Sequence, residues 1–255
     1  MNTPPPEVRR SSAQEVCSVL PDSLKAEQLV RTLARAGLQH APAAFSSSLS
    51  AEDMVITDAI LAARLAIEIF TIDTGRLHAD TLALLDTIEA RYGHRIRSFR
   101  PDETAVAEYV AHHGNNAFYD SADLRRHCCH LRKVEPLARA LAGKRGWITG
   151  LREVPGAREQ LPLTEFDATH GVVKINPLAQ WSASDVWSYI RERDVPYNRL
   201  YDQGYRSIGC APCTRPALPD EDERAGRWWW ELGQVRECGL HVGTGGRLSR
   251  ATEAA

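Results

Sequence analysis

Long apolar runs are missing from this 255-residue sequence. No stretch approaches the roughly 20 residues that a helix needs to span a bilayer. An excess of one charge is missing as well: 31 basic residues stand against 33 acidic ones, for a net charge of −2. That balance gives no global field for nucleic acid or an anionic membrane, so any anion must be recognised locally. Residues 1–22, opening MNTPPPEVRRSS, lack the apolar core of an export signal and read as a disordered tail. No internal repeat is visible. A cytoplasmic protein is expected, in a compartment where thiols stay reduced. Its six cysteines are then ligands or redox catalysts rather than structural disulfides.

The remaining sequence has the pattern of a soluble globular protein and is long enough for one substantial domain with an appendage. Residues 23–37 open with Ser23 and close with Gly37, a helix marked at both ends. Residues 43–49 read as a buried strand, and 51–64 as a helix with two acids in its first turn, favourable against the helix dipole. Strand 67–73, helix 77–93, strand 95–99 and helix 102–114 follow. Residues 121–143 are mostly helical, interrupted at Pro136. Strands at 146–150 and 172–178 precede a helix at 182–194 with a serine-type N-cap. Short buried strands alternating with longer helices predict an α/β fold, a mostly parallel sheet flanked by helices. Past Tyr205 periodicity fails. The expected organisation is a tail over 1–22, an α/β domain over 23–205, and an irregular C-terminal segment over 206–255.

Five of the cysteines are grouped. Cys128 and Cys129 are adjacent, Cys210 and Cys213 form a CxxC, and Cys238 sits in the run ECGLH. Four thiolates in two pairs are the usual complement of a tetrahedral metal or a four-iron cluster. Neighbouring side chains on a regular helix point about 100° apart. Cys128 and Cys129 face one centre only if the backbone is distorted there. The competing reading makes them small core residues and the CxxC a redox or zinc pair. Cys17, alone in the tail, has no expected role.

The ordered set FSSSLSAEDMVITDAI, FTIDTGRLHADT, CCHLRKVEPL, WITGLR, GCAPCTRP, ERAGRWWWE and ECGLH resembles the assimilatory sulfonucleotide reductases of the PP-loop fold. The resemblance runs from Phe45 to His241. It implies a Rossmann-like PP-loop domain and an oxidoreductase acting on a sulfur group, in sulfate assimilation and cysteine biosynthesis. Family members that reduce adenylyl sulfate (APS) keep the CC and CxxC pairs. Those acting on the 3′-phosphorylated form (PAPS) commonly lack them. The resemblance therefore implies one [4Fe–4S] cluster per chain, held by Cys128, Cys129, Cys210 and Cys213, and APS as substrate. One departure lies in the loop, where Ser50 stands in place of the usual Gly. It would be strained if that position needs positive φ, and is expected to be tolerated.

The resemblance also distributes roles. Cys238 is the expected nucleophile, since a thiolate attacks sulfur and nearby Arg236 and His241 favour the anion. A thioredoxin-type dithiol would then release sulfite through a mixed disulfide. Lys133 resembles the family lysine near cluster and substrate, against the generic reading of a solvated helix lysine. Arg152, Arg224 and Arg227 suit the phosphosulfate oxygens, which forked guanidinium donors match. Ser46, Ser47 and Ser48 after the first strand, with Thr74, Gly75, Arg76 and Leu77 after the second, are expected to converge on the nucleotide. Trp228, Trp229 and Trp230 are expected to anchor the C-terminal segment by burial. Residues 232–255 are expected to dock over the nucleotide and swing out during turnover.

Neither nucleic acid nor membrane is an expected partner; oligomeric state stays open, a homo-oligomer included. Three other readings stand beside APS reduction. A PAPS reductase would not need four further cysteines. A PP-loop ATP pyrophosphatase would not need ECGLH. An iron–sulfur sensor without enzymatic activity would leave the phosphate-loop segments without a purpose.

Overall fold

The computed structural model describes residues 22–153 and 160–231. Its six strands form one sheet, β1 (Ala43–Ser47), β2 (Glu68–Ile72), β3 (Arg97–Phe99), β4 (Gly146–Ile148), β5 (Thr164–Asp167) and β6 (Val172–Ile175), in the order β3-β2-β1-β4-β6-β5. Every pairing is parallel except β5 with β6. The chain runs outward from β1 to β3 and then returns to place β4 on the other side of β1. That reversal opens a crevice beyond the carboxyl ends of β1 and β4, where open α/β sheets take their ligands.

Burial explains this order. Helix α2 (Ala51–Ala62) follows β1 and carries Met54, Val55, Ile56, Ala59 and Ile60 fully buried. Apolar on nearly all sides, it can exist only enclosed. Helices α1 (Asp22–Gln39) and α7 (Ala183–Glu192) cover it. Buried Asp58 on α2 accepts hydrogen bonds from Tyr92 (2.9 Å) and Tyr189 (2.7 Å), satisfying a charge that apolar packing would otherwise penalise. Truncating Met54 or Ile56 to alanine would cost roughly 2–5 kcal/mol, the usual range for a fully buried aliphatic side chain.

The ends of the helices follow local rules. Helix α3 (Ala79–Tyr92) stops at Gly93, whose φ of 64° is the left-handed cap that glycine accepts without strain. Helix α7 starts at a capping box between Ser182 and Asp185. Helix α4 (Glu103–His113) begins where Asp102 accepts from the Ala105 N–H at 2.8 Å.

Two features depart from expectation. Strand β5, with Phe166 exposed, adds an antiparallel edge absent from the periodicity reading. In the segment 121–143, helix α5 (Ala122–Cys129) passes into a π-helical turn, His130–Val134, before helix α6 (Glu135–Leu141). The interruption precedes Pro136, which lies in the first turn of α6, where a missing N–H costs nothing. The widened turn closes with the Glu135 N–H on the His130 carbonyl. It starts directly after the adjacent cysteines, which themselves belong to regular α5, so the distortion expected at Cys128 and Cys129 lies one step further along the chain. Beyond α7 the described chain holds only short 3₁₀ turns and two isolated bridges, Leu77 with Cys210 and Thr214 with Arg227. Among the described residues, no helix is long and apolar enough to cross a membrane.

Candidate active site

A cavity of about 260 Å³ occupies the crevice. Ser46, Ser47, Ser48, Thr74, Leu77, Lys133, Arg152, Cys210, Arg224 and Arg227 of the expected residues line it. Gly75 and Arg76 lie on its flank. Gly75 turns with φ 69°, its N–H donating to Asp73 at 3.0 Å, while Arg76 reaches Asn115 and Asn116. Cys238 and His241 lie outside the described residues.

The loop after β1 is held mostly by its own groups. Ser46 Oγ accepts from Trp147 Nε1 at 2.8 Å, and Ser47 Oγ accepts from the Leu49 N–H at 3.2 Å. Ser48 donates both its N–H and its hydroxyl to Asp53 Oδ2, at 2.5 and 2.6 Å. The left-handed residue is Leu49, with φ 63°, rather than Ser50. Ser50 is extended (φ −72°, ψ 169°), caps α2 and accepts the Asp53 N–H at 3.4 Å, so serine carries no strain there. The Ala51 N–H donates to the buried Tyr201 hydroxyl at 3.0 Å. Burial pushes the Asp53 carboxyl up to about 6, against the stabilising bonds from Ser48. Gly150 lies so close that a methyl group there would sit 1.9 Å from Asp53 Oδ1. The acids of the first turn of α2 thus do more than complement a dipole. Asp53 shapes the loop, and Glu52 reaches across to Arg152.

A cationic wall faces this loop. Arg152 donates Nε to Glu52 at 2.8 Å and Nη2 to both oxygens of Glu223, at 2.7 and 2.6 Å. Burial disfavours its charge, but Glu52 and Glu223 outweigh that and hold the guanidinium above its usual range. Arg227 donates Nη1 to the Ile208 carbonyl at 3.1 Å and toward Ser207 Oγ at 3.4 Å. Its guanidinium lies 4.7 Å from the Trp228 ring centre, and its buried Nε has no hydrogen-bond partner among the described residues. Arg206 adds another cation at the rim, bonded to the carbonyls of Glu221 and Pro219.

Beside the cavity the four cysteines come together. Cys128 and Cys129 end α5; Cys210 and Cys213 bracket a 3₁₀ turn, Ala211–Cys213, in which the Cys213 N–H donates to the Cys210 carbonyl at 2.9 Å. All four are buried free thiols, packed together with Tyr109, Phe118 and Trp228. The CxxC turn is tied to the strand-β2 loop by the Ala211 N–H on the Arg76 carbonyl (2.7 Å) and by a 3.2 Å contact between Thr74 Oγ1 and Cys210 Sγ. Arg132 spans the two halves, donating to the Thr74 carbonyl at 2.8 Å. Burial pushes the Cys213 thiol up to about 12, neighbouring Cys210 adds to it, and Lys133 opposes. Cys128 is raised for the same first reason, with Arg132 opposing.

Four buried thiols ringed by Arg76, Arg125, Arg132 and Lys133 suit a centre that binds thiolates and carries residual negative charge, which those cations would offset. Among the described residues no group of three or more His, Cys, Asp or Glu side chains is gathered as one ion would need. Four cysteine sulfurs are the usual donor set of a tetrahedral metal or a four-iron cluster.

Trp228 is 1% exposed and lies between Arg125 (4.5 Å) and Arg227 (4.7 Å), while Trp229 and Trp230 are half-buried beside Tyr119. Only the first is a full anchor. Arg132, Glu52, Asp53, Tyr201 and Glu223 were not singled out by the motif reading. Arg132 could have been found from its place beside Lys133 in the CC segment. The others carry no local signal, because their partners lie far off in sequence.

The fold and site define a sulfonucleotide-reductase type of PP-loop protein, and comparison with known proteins agrees. Residues 42–216 match the phosphoadenosine phosphosulfate reductase domain family, and the chain belongs to that family. Similar proteins include an adenosine 5′-phosphosulfate reductase from Burkholderia cepacia, 52% identical over 221 residues, covering 86% of this chain and 88% of the relative. Another, from Allochromatium vinosum, is 55% identical over 198 residues, 77% of each chain. Among solved structures, a phosphoadenylyl-sulfate reductase from Candida auris, in complex with phosphate, superposes with a TM-score of 0.63 at 29% identity, covering 72% of this chain and 88% of that one. Yeast FAD synthetase, at 14% identity and a TM-score of 0.53 (79% of this chain, 70% of that one), shares the fold alone.

Proposed function

We propose that this protein reduces adenylyl sulfate to sulfite and AMP in sulfate assimilation, drawing electrons from thioredoxin or a similar dithiol protein in the reducing cytoplasm. One observation carries the reading: four buried thiols abut a cavity walled on one side by the phosphate loop and on the other by Lys133, Arg152, Arg224 and Arg227. A nucleotide needs the loop, a phosphosulfate needs the cations, and neither explains the thiols. Relatives about half identical to this chain that carry the name adenosine 5′-phosphosulfate reductase support all three together.

In this reading the adenosine lies against Ser46, Ser47, Ser48 and the Thr74–Leu77 loop, with the phosphosulfate toward the cations. The Cys238 thiolate attacks the sulfate sulfur. The bond from that sulfur to the bridging oxygen breaks, and AMP leaves with the electron pair. Arg152, Arg224, Arg227 and Lys133 spread the charge that develops on the leaving phosphate, and His241 steadies the attacking thiolate. A dithiol thiolate then attacks Cys238 Sγ, sulfite departs with the electron pair, and the second thiol resolves the mixed disulfide. The substrate gains two electrons and the dithiol becomes a disulfide.

Cys128, Cys129, Cys210 and Cys213 would hold a [4Fe–4S] cluster, one per chain. When bound, the cluster supplies electrostatic order at the sulfate end of the site. The chain's own part is Lys133, which lines both the cysteine pocket and the nucleotide cavity.

The test is anaerobic purification with iron and sulfide analysis, followed by APS and PAPS assays side by side. Four irons and four sulfides per chain and a higher kcat/KM for APS are expected. Stoichiometric zinc would overturn the cluster assignment, and equal turnover of both nucleotides would overturn the substrate assignment.

A further inference from the structure

Arg152 is clamped by two carboxylates at once, and the two clamps are unequal. Glu52 holds Nε at 2.8 Å from the first turn of buried α2, and its side chain is 17% exposed. Glu223 holds Nη2 through both oxygens from an irregular turn, and its side chain is 36% exposed. That turn rests on Asp222, whose side chain accepts the Arg224 N–H and whose carbonyl accepts the Ala225 N–H. Glu223 and Arg224 both line the nucleotide cavity.

A guanidinium shared by two carboxylates already carries a net negative surrounding. A phosphosulfate brings further negative charge to it. The anion and Glu223 therefore compete for the same donor, because like charges converging on one nitrogen repel. The rigid, more enclosed partner keeps its place and the exposed one on the turn yields.

We infer that Glu223 is a placeholder: its carboxylate occupies Arg152 Nη2 until the substrate anion displaces it, while Glu52 is the positioning residue that keeps Arg152 aimed. This rests on the reading of Arg152 as a phosphosulfate contact. The displaced turn also carries Arg224, so substrate entry at Arg152 releases the neighbouring cation to close on the same anion. An exchange of this kind tunes affinity and admits only ligands anionic enough to win it.

The test measures APS affinity by calorimetry in the full-length, cluster-loaded Cys238→Ser protein, which cannot turn the substrate over. Glu223→Gln and Glu223→Ala remove the competing charge and are expected to tighten APS binding by about two- to fivefold, the scale of a half-exposed ion pair. Glu52→Gln is expected to weaken it. In an Arg152→Ala background Glu223→Gln should change nothing. Weaker or unchanged binding in both Glu223 variants overturns the inference, as does a gain that survives without Arg152, or tighter binding in Glu52→Gln. Failure of the Cys238→Ser parent to bind APS at all would instead overturn the reading on which the inference rests.

Discussion

Gly209, one residue before the CxxC, sets where the guanidinium of Arg227, a proposed phosphosulfate contact, can stand. A methyl group on its Cα would lie 2.6 Å from Cζ and Nη2 of Arg227 and 3.0 Å from Nε, where ordinary contact begins near 3.4 Å. In Gly209→Ala the guanidinium must retreat by about 1 Å, because close-packed atoms cannot share that space. Its bonds to the Ile208 carbonyl (3.1 Å) and Ser207 (3.4 Å) then stretch past hydrogen-bonding range. The obstacle meets the far end of a long side chain, so the backbone need not move, and the fold should lose about 1–3 kcal/mol from the buried guanidinium's lost hydrogen bonds. The site loses a charge-assisted hydrogen bond to its anion, roughly 1.5–3 kcal/mol. That corresponds to about a ten- to hundredfold weaker Kd and a raised KM for APS. Calorimetry with APS and urea unfolding on the same preparation separate the two effects. A Gly209→Ala protein that binds APS within twofold of wild type would refute the reasoning. So would a full further loss when the change is made on top of Arg227→Ala.

Two other outcomes follow from buried charge. The folded pKa of Asp53, about 6, lies above its ordinary value of 3.8, so the folded state holds the proton longer than the unfolded one. This group's contribution to stability therefore falls as pH rises from about 4 to about 6, by roughly 3 kcal/mol across the window. Asp53→Asn keeps an acceptor for Ser48 and should flatten that part of the urea-midpoint profile; an unchanged profile would contradict the assignment. Arg125 and Glu231 form a pair at 2.5 Å with both side chains buried, so Arg125→Ala should cost roughly 3–5 kcal/mol by stranding the carboxylate. Replacing Glu231 by Leu in that variant should recover part of the loss in thermal unfolding.

The α/β alternation was legible because short apolar runs such as 67–73 and bounded helices such as 77–93 carry their signals locally. The edge strand β5 was not, since it is four residues long, its one apolar residue, Phe166, is exposed, and only Asp167 is buried. The adjacent cysteines led to an expected backbone distortion at 128–129, but both lie in regular α5 and the π turn follows them; nothing in residues 130–134 names it, and Pro136 drew attention to the wrong place. The arginines that line the cavity and the four clustered cysteines were singled out by type and motif order. The carboxylates that orient the arginines were not, because pairings such as Arg152 with Glu52 and Glu223, or Arg125 with Glu231, span about 70 to 106 residues. Acids at a helix start read as dipole partners until the fold brings a cation to them.

The central claim is that one thiol, Cys238, takes the sulfonate from APS beside this cavity. Incubating the anaerobically purified protein with APS in the absence of any dithiol, then mapping the peptides by mass spectrometry, tests it directly. One sulfonated cysteine per chain at Cys238, formed together with an equal amount of AMP and discharged as sulfite when thioredoxin is added, is the predicted result. An adduct on Cys128, Cys129, Cys210 or Cys213, or sulfite release by the Cys238→Ser protein, would contradict it.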